Sequence, residues 1–119
     1  MFYIFLVSRV LFGGYFIYNA YNHLIKGSHM VGYAASKKVP MPKIAIFVSG
    51  VLLLAGGAGI LVGFYVPIAV ACLVLFLVPV TFMMHDFWKE TDPMAKITQK
   101  IMFTKNLALL GGALAYLFI

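Results

Sequence analysis

Residues 44–84 decide the fold of this chain: IAIFVSGVLLLAGGAGILVGFYVPIAVACLVLFLVPVTFMM. The stretch carries no charged side chain, and a helix needs roughly 20 apolar residues to cross the hydrocarbon core of a bilayer. Its length therefore predicts two membrane-spanning helices in succession. Tyr65 and Pro67 lie near its middle, where a proline suits the first turn of a new helix. We place a tight turn there.

Two further apolar stretches flank this central pair. One precedes it near the N-terminus, and one follows it at the C-terminus. Each is long enough to form another membrane-spanning helix. The sequence therefore predicts an all-α integral membrane protein, a four-transmembrane-helix bundle. We expect a single domain over residues 1–119, with spans at about 2–24, 44–65, 67–84 and 102–119.

The composition supports the membrane prediction and excludes other classes. The chain is 64% hydrophobic and 10% charged, whereas soluble domains are about 45–50% apolar and about 25% charged. The net charge of +6 comes from bases at the ends of apolar blocks, which indicates membrane lipids as partners and no nucleic acid. Cys72 is the only cysteine, which excludes an internal disulfide and a cysteine-based zinc site.

The first apolar stretch is interpreted as a retained helix. A cleaved signal peptide begins with basic residues and has a shorter apolar core. Here no basic residue precedes Arg9, and the stretch runs from residue 2 to residue 24. Residues 30–35, in the polar connection that follows, are predicted to form a short helix at the membrane interface.

Lysine positions predict the orientation. Seven lysines lie in the connections after the first and third spans: Lys26, Lys37, Lys38, Lys43, Lys89, Lys96 and Lys100. These connections share one side of a four-span bundle, and lysine-rich connections are usually cytoplasmic. We therefore expect a multi-pass protein of the cell membrane with both termini outside the cytoplasm.

Arg9 and Lys105 are the two charged side chains expected inside spans. Such charges are costly in hydrocarbon and often mark functional sites. Arg9 shares a helical stripe with Gly13 and Phe16, which favours an inward position. Snorkelling to the headgroups remains the alternative for both cations. Asn106, beside Lys105, favours contact with a partner helix.

Polar side chains from three spans are predicted to meet at one depth. They come from the end of the first span, the end of the third and the start of the fourth. We expect a polar pocket in the cytoplasmic half, capped by residues 33–42, with Asp86 as the acid nearest to Lys105. The candidate site residues are Arg9, Asn19, His23, His85, Asp86, Trp88, Lys105 and Asn106.

The same residues bear on cofactors. His23 and His85 could ligate a haem or a metal, but histidines at helix ends are usually interfacial, and we favour that interpretation. No metal site is predicted. No cofactor motif is encoded, and the cofactor that we consider for a redox role is a bound quinone.

Five motifs carry a resemblance to a known family. They are Arg9 with Gly13 and Gly14, YAASKKVPMP at 33–42, the glycine-rich second span, HDFW at 85–88 and FTKNLALLGG at 103–112. Together they resemble the DoxX family of small four-helix membrane proteins. The resemblance implies a role in respiratory or redox chemistry. The family is similar to the small subunit of thiosulfate:quinone oxidoreductase, and some members accompany oxidative-stress or quinone-detoxifying enzymes.

Three functions remain open from the sequence. The first is a membrane component of a quinone-linked redox or oxidative-stress system, at most an oxidoreductase subunit that needs a soluble or membrane redox partner. The second is a non-catalytic scaffold or assembly subunit. The third is a small-solute transporter or channel, which a homo-oligomer would suit. The catalytic residues are not assigned in any of them.

Overall fold

The computed structural model describes residues 1–118, and these residues form an all-helical bundle without a β-strand. The helices are α1 (Phe2–Ile25), α2 (Ser28–Ser36), α3 (Pro42–Val62), α4 (Val66–Met84) and α5 (Pro93–Ala115). Short 3₁₀ turns occupy Phe87–Lys89 and Tyr116–Phe118. The all-α prediction is confirmed.

Within the described residues, four helices are long and apolar enough to cross a membrane: α1, α3, α4 and α5. The shortest, α4, has 19 residues and rises about 28 Å at 1.5 Å per residue. The molecule is 46 Å long, which matches a bilayer of about 40–45 Å including its headgroups. The 9-residue α2 is too short to span and includes residues 30–35, for which a short helix was predicted.

The helix α5 begins at Pro93, earlier than the span expected from residue 102. Asp92 caps it, because its carboxylate accepts a hydrogen bond from the Ala95 amide at 3.0 Å, and Pro93 suits the first helical turn. The added turns carry Gln99, Lys96 and Lys100. They extend the helix beyond its apolar part and bring Gln99 into the bundle.

The crossing of α1 and α3 depends on two glycines that face each other. A Cβ atom on Gly13 would lie 2.7 Å from the carbonyl oxygen of Gly57 and 2.9 Å from the Leu61 amide nitrogen. A Cβ atom on Gly57 would in turn lie 2.8 Å from the Gly13 carbonyl oxygen. Only glycine allows the two backbones to approach this closely in lipid.

The helix α3 lies at the centre, because it packs on both α1 and α4. Its other face meets α4, where the Leu73 side chain fills the space beside Gly56. The helix α5 packs on α4 and meets α1 through side chains. In the 3₁₀ turn that follows α5, Tyr116 stacks on Phe12 of α1 with ring centroids 5.2 Å apart, and its hydroxyl hydrogen-bonds to that of Ser8 at 2.5 Å.

The bundle has two distinct ends. The seven lysines from the two polar connections lie at one of them, which we call the lysine-rich end. The opposite end holds the N-terminus, the turn between α3 and α4 and the last described residues, and we call it the termini end.

Candidate functional site

A cavity of about 470 Å³ lies in the half of the bundle nearest the lysine-rich end. All five helices contribute to its lining, and most of the lining side chains are apolar, among them Phe16, Leu53 and Leu77. Ligand pockets in proteins range from about 300 to 1,000 Å³ and combine an apolar lining with a few polar groups. The size and lining of this cavity are typical of such pockets.

Five of the eight candidate site residues line this cavity: Asn19, His23, His85, Lys105 and Asn106. They come from α1, the end of α4 and α5. Tyr33, Val39 and Pro40 also line it, so α2 and the segment after it close one side. The remaining three candidates, Arg9, Asp86 and Trp88, do not line the cavity.

Arg9 lies toward the termini end, where it caps the last turn of α3. Its guanidinium donates to the carbonyl oxygens of Ile60 at 3.1 Å and Leu61 at 2.9 Å. The last carbonyls of a helix lack partners within the helix, and a cation there also suits the helix dipole. Arg9 therefore points inward, as its stripe predicted, but it serves helix packing and lies outside the cavity.

A glycine makes room for this arginine. Gly63 ends α3 with φ +72°, a backbone conformation that glycine adopts without strain. A Cβ atom on Gly63 would lie 2.8 Å from the Arg9 Nη2 atom. The turn and the arginine cap therefore depend on the same glycine.

Asp86, which was expected to be the acid nearest to Lys105, pairs with Lys37 instead. The Lys37 Nζ atom lies 2.6 Å from Asp86 Oδ1 and 3.3 Å from Glu90 Oε1. The reason is the fold of the connection, because α2 brings Lys37 directly over the end of α4. The hydrogen bond to Asp86 is the main cause that raises the pKa of Lys37 above its ordinary value, with Glu90 adding to it.

Trp88 lies at the surface of the lysine-rich end, with about half of its side chain exposed. Its ring contacts Phe87 and Phe103 edge to face, with centroids 5.3 and 5.7 Å away. Tryptophan is enriched at membrane interfaces. Its place here is that of an interface anchor.

Two residues that were not predicted hold His85 in position. The His85 Nδ1 atom lies 2.8 Å from Gln99 Oε1. The Gln99 amide nitrogen donates to the Tyr33 hydroxyl, which in turn donates to the Met84 carbonyl oxygen at 2.9 Å. This network joins α2, the end of α4 and α5 beside the cavity.

Of the other polar side chains that line the cavity, two have hydrogen-bond partners within α1 and one, Asn106, has none among residues 1–118. The His23 Nδ1 atom lies 2.9 Å from the Asn19 carbonyl oxygen, and the Asn19 amide donates to the Tyr15 carbonyl oxygen at 2.9 Å. Asn106 is 5% exposed, and its side chain makes no hydrogen bond with another residue of the described range. An amide so placed in a cavity is available to a ligand.

Sequence reasoning did not single out Tyr15 or Gln99, and it placed Tyr33 and Lys37 in the capping segment 33–42 without predicting their contacts with Gln99 and Asp86. For Gln99 a signal was present, since Asp92 followed by Pro93 is a typical helix start, and it places Gln99 on α5. The contacts of Tyr33 and Lys37 depend on where α2 packs, and the contact of Tyr15 depends on which side of α1 faces α5. The sequence carries no direct signal of either.

Comparison with known proteins supports one family. A family model described as DoxX matches residues 4–86, more than two thirds of the chain. The match covers α1 from residue 4 and all of α2 to α4, has His85 and Asp86 at its end, and stops before α5. No curated protein and no solved structure matches the chain.

Proposed function

Since this chain belongs to the DoxX family, we propose that it is the membrane component of a quinone-linked redox system and binds a quinone in the cavity. The observation that carries the proposal is the cavity of about 470 Å³ among helices long enough to span a membrane. It combines an apolar lining with amide, ammonium and imidazole groups, the features of a site for a small, largely apolar ligand.

The cavity residues fit a quinone in polarity. A quinone has a flat apolar ring with two carbonyl oxygens, which accept hydrogen bonds. The Asn106 amide, which has no partner among the described residues, and the Lys105 ammonium are donors suited to these oxygens. Phe16 and Leu53 would exclude water from the ring. When bound, a quinone supplies two-electron, two-proton redox chemistry.

The proposal includes a partner. Electrons would pass between the quinone and a soluble or membrane redox protein, so this chain acts at most as an oxidoreductase subunit. We also propose that the lysine-rich end faces the cytoplasm of a cell membrane, with both termini on the opposite side. The seven lysines at that end support this orientation.

Binding of a short-chain quinone to the purified protein in lipid nanodiscs tests the proposal. We expect saturable binding, and we expect a quinone among the molecules that mass spectrometry detects after gentle purification with native lipids. Asn106→Leu should weaken binding by a factor of about ten or more, because a carbonyl oxygen of the ligand loses its donor at a buried position of the cavity. Lys105→Met should weaken it as well.

Lys96→Met is the matched control, since Lys96 is an exposed lysine of the same helix outside the cavity. It should bind the quinone as the native protein does. Absence of saturable binding by a well-folded native protein would overturn the proposal.

A scaffold function is the second candidate, and one observation favours it. Many of the polar contacts, including the Arg9 cap and the pairing of Lys37 with Asp86, hold helices together. A scaffold predicts that Asn106→Leu leaves partner assembly and respiratory activity of the membranes unchanged. Co-purification of a partner with this variant, together with intact activity, would favour the scaffold.

A further inference from the structure

We infer that the cavity selects the reduced, hydroquinone form of its ligand over the oxidised quinone, because two histidines are fixed as hydrogen-bond acceptors. The inference rests on the proposed function and adds which redox form the site binds more tightly.

The first fixed acceptor is His85, and the hydrogen-bond chain beside it determines its tautomer. A backbone carbonyl can only accept, so the Tyr33 hydroxyl donates its proton to Met84. The hydroxyl oxygen is then the acceptor for the Gln99 amide nitrogen. This orientation turns Gln99 Oε1 toward His85, and the Nδ1 atom at 2.8 Å donates its proton to it.

The second fixed acceptor is His23, whose ring is oriented by a single hydrogen bond. Its Nδ1 atom lies 2.9 Å from the backbone carbonyl oxygen of Asn19, one turn earlier in α1. A carbonyl oxygen carries no proton, so Nδ1 again is the donor. The ring packs edge to face on Phe76, with centroids 5.6 Å apart.

In a neutral imidazole, protonation of one ring nitrogen leaves the other as an acceptor. His23 and His85 both use Nδ1 as donor, so Nε2 is the acceptor in each. Neither Nε2 atom makes a hydrogen bond with another residue of the described range, and both histidines line the cavity. Two residues of the cavity lining therefore carry an acceptor of the same type.

These acceptors distinguish the two redox forms of the ligand. A hydroquinone carries two O–H donors, whereas a quinone has carbonyl oxygens only. An Nε2 lone pair that faces a carbonyl oxygen stays unpaired, which is costly in a largely apolar cavity. Asn106 and Lys105 hold either form, because the oxygens of both forms accept hydrogen bonds. The preference for the reduced form thus comes from the histidines.

Gln99 and Tyr33 act as positioning residues in this arrangement. If either is lost, His85 is free to carry its proton on Nε2, where it becomes a donor. The selectivity should then fall even though His85 is still present.

Nitrogen-15 NMR of the imidazole rings in lipid tests the fixed tautomers without any ligand. At about pH 8, where an ordinary histidine is neutral, His23 and His85 should carry the proton on Nδ1. Tyr33→Phe frees the Gln99 amide to turn over, and His85 should then show a mixture of tautomers while His23 stays unchanged. A proton on Nε2 of His85 in the native protein would overturn the inference.

Equilibrium binding tests the selectivity. The probes are a short-chain hydroquinone, its dimethyl ether and the matching quinone, compared under anaerobic conditions in nanodiscs. The ether keeps the ring and the oxygens but has no O–H donor. We expect the hydroquinone to bind more tightly than the ether by a factor of about ten or more, because it can form two additional hydrogen bonds. The hydroquinone should also bind more tightly than the quinone.

Variants separate site selectivity from partition into lipid. His85→Phe and His23→Phe should each lower the ratio of hydroquinone to ether affinity roughly fivefold, and Tyr33→Phe should lower it less. His29→Phe is the control, because His29 is exposed on α2 and does not line the cavity. Gln99→Leu, where it folds, should behave like Tyr33→Phe.

The outcomes distinguish this inference from the function on which it rests. If hydroquinone, ether and quinone bind equally well, the inference fails and the proposed function stands. If no probe binds to the folded native protein, the proposed function fails. An unchanged affinity ratio in His85→Phe would also overturn the role of that histidine.

Discussion

Lys105 Nζ lies 3.2 Å from the hydroxyl oxygen of Tyr15, and this hydrogen bond joins α5 to α1 at an exposed edge of the cavity. The same ammonium lies 5.9 Å from the centre of the Tyr15 ring. Since α1 and α5 meet through side chains, we expect this contact to slow the passage of a ligand between the cavity and the lipid.

Tyr15→Phe should therefore speed ligand exchange. The variant keeps the ring but removes the acceptor for Lys105, and loss of a hydrogen bond of about 1 kcal/mol corresponds to roughly fivefold in rate. Stopped-flow measurement of quinone release from nanodiscs gives the rate. Tyr18→Phe changes an exposed tyrosine outside the cavity and should leave the rate unaltered. Equal rates in all three proteins would contradict a barrier at this edge.

Gly13→Ala should destabilise the bundle by about 1–3 kcal/mol, the usual cost of overpacking. Its new methyl group would meet backbone atoms of Gly57 and Leu61, which cannot move without separating α1 from α3. Gly14→Ala is the matched control, because no atom lies within 4 Å of a Cβ placed there. Reversible unfolding in mixed detergent measures both. Equal stability of the two variants would refute the proposed close crossing.

Arg9→Met should lower the free energy of unfolding by about 2–4 kcal/mol, because two carbonyls at the end of α3 lose their donor in the membrane. Quinone affinity per folded molecule should stay close to native, since Arg9 lies outside the cavity. Lys105→Met should show the opposite pattern, with weaker binding and a smaller loss of stability. If the folded Arg9→Met variant no longer bound the quinone, Arg9 would have a role beyond helix packing, against our assignment.

The contact of Lys37 with Asp86 predicts a pH dependence of stability. Folding raises the pKa of Lys37, mainly through its hydrogen bond with Asp86, so the stabilisation is complete below the unfolded lysine pKa of about 10.4. It is lost as pH rises through the higher folded pKa. Lys37→Met should cost about 1–3 kcal/mol at pH 8 and reduce the loss of stability at alkaline pH.

Unfolding curves between pH 8 and about 11 measure this effect. Lys43→Met, which removes an exposed lysine, serves as the control and should keep the native profile. An identical alkaline profile in Lys37→Met and the native protein would contradict the assignment.

The spans were predictable because hydrocarbon admits only long apolar helices, and residues 44–84 meet that requirement without a charge. The inward stripe of α1 was predictable as well, since Gly13 and Phe16 follow helical spacing and both are buried. The start of α5 was missed because the apolar composition was given more weight than the cap at Asp92.

The partners of the charged residues could not be predicted in the same way. Asp86 had lysines available from α5 and from the residues directly after α2, and only the tertiary position of α2 decides in favour of Lys37. Arg9 bonds to backbone carbonyls, which every residue type has and which therefore leave no mark in the sequence. The sequence shows how deep in a span a polar residue lies, but it does not show which group that residue bonds to.

The Arg9 cap has a consequence for how this protein is made. The carbonyls that accept its hydrogen bonds lie 51 and 52 residues farther along the chain, so the ribosome delivers the arginine well before its partners exist. Until α3 has been inserted, α1 carries an unmatched cation in the translocation machinery or at the lipid surface. We therefore expect stable insertion of α1 to require α3, and a translation product truncated before residue 60 should be degraded rather than accumulate in the membrane.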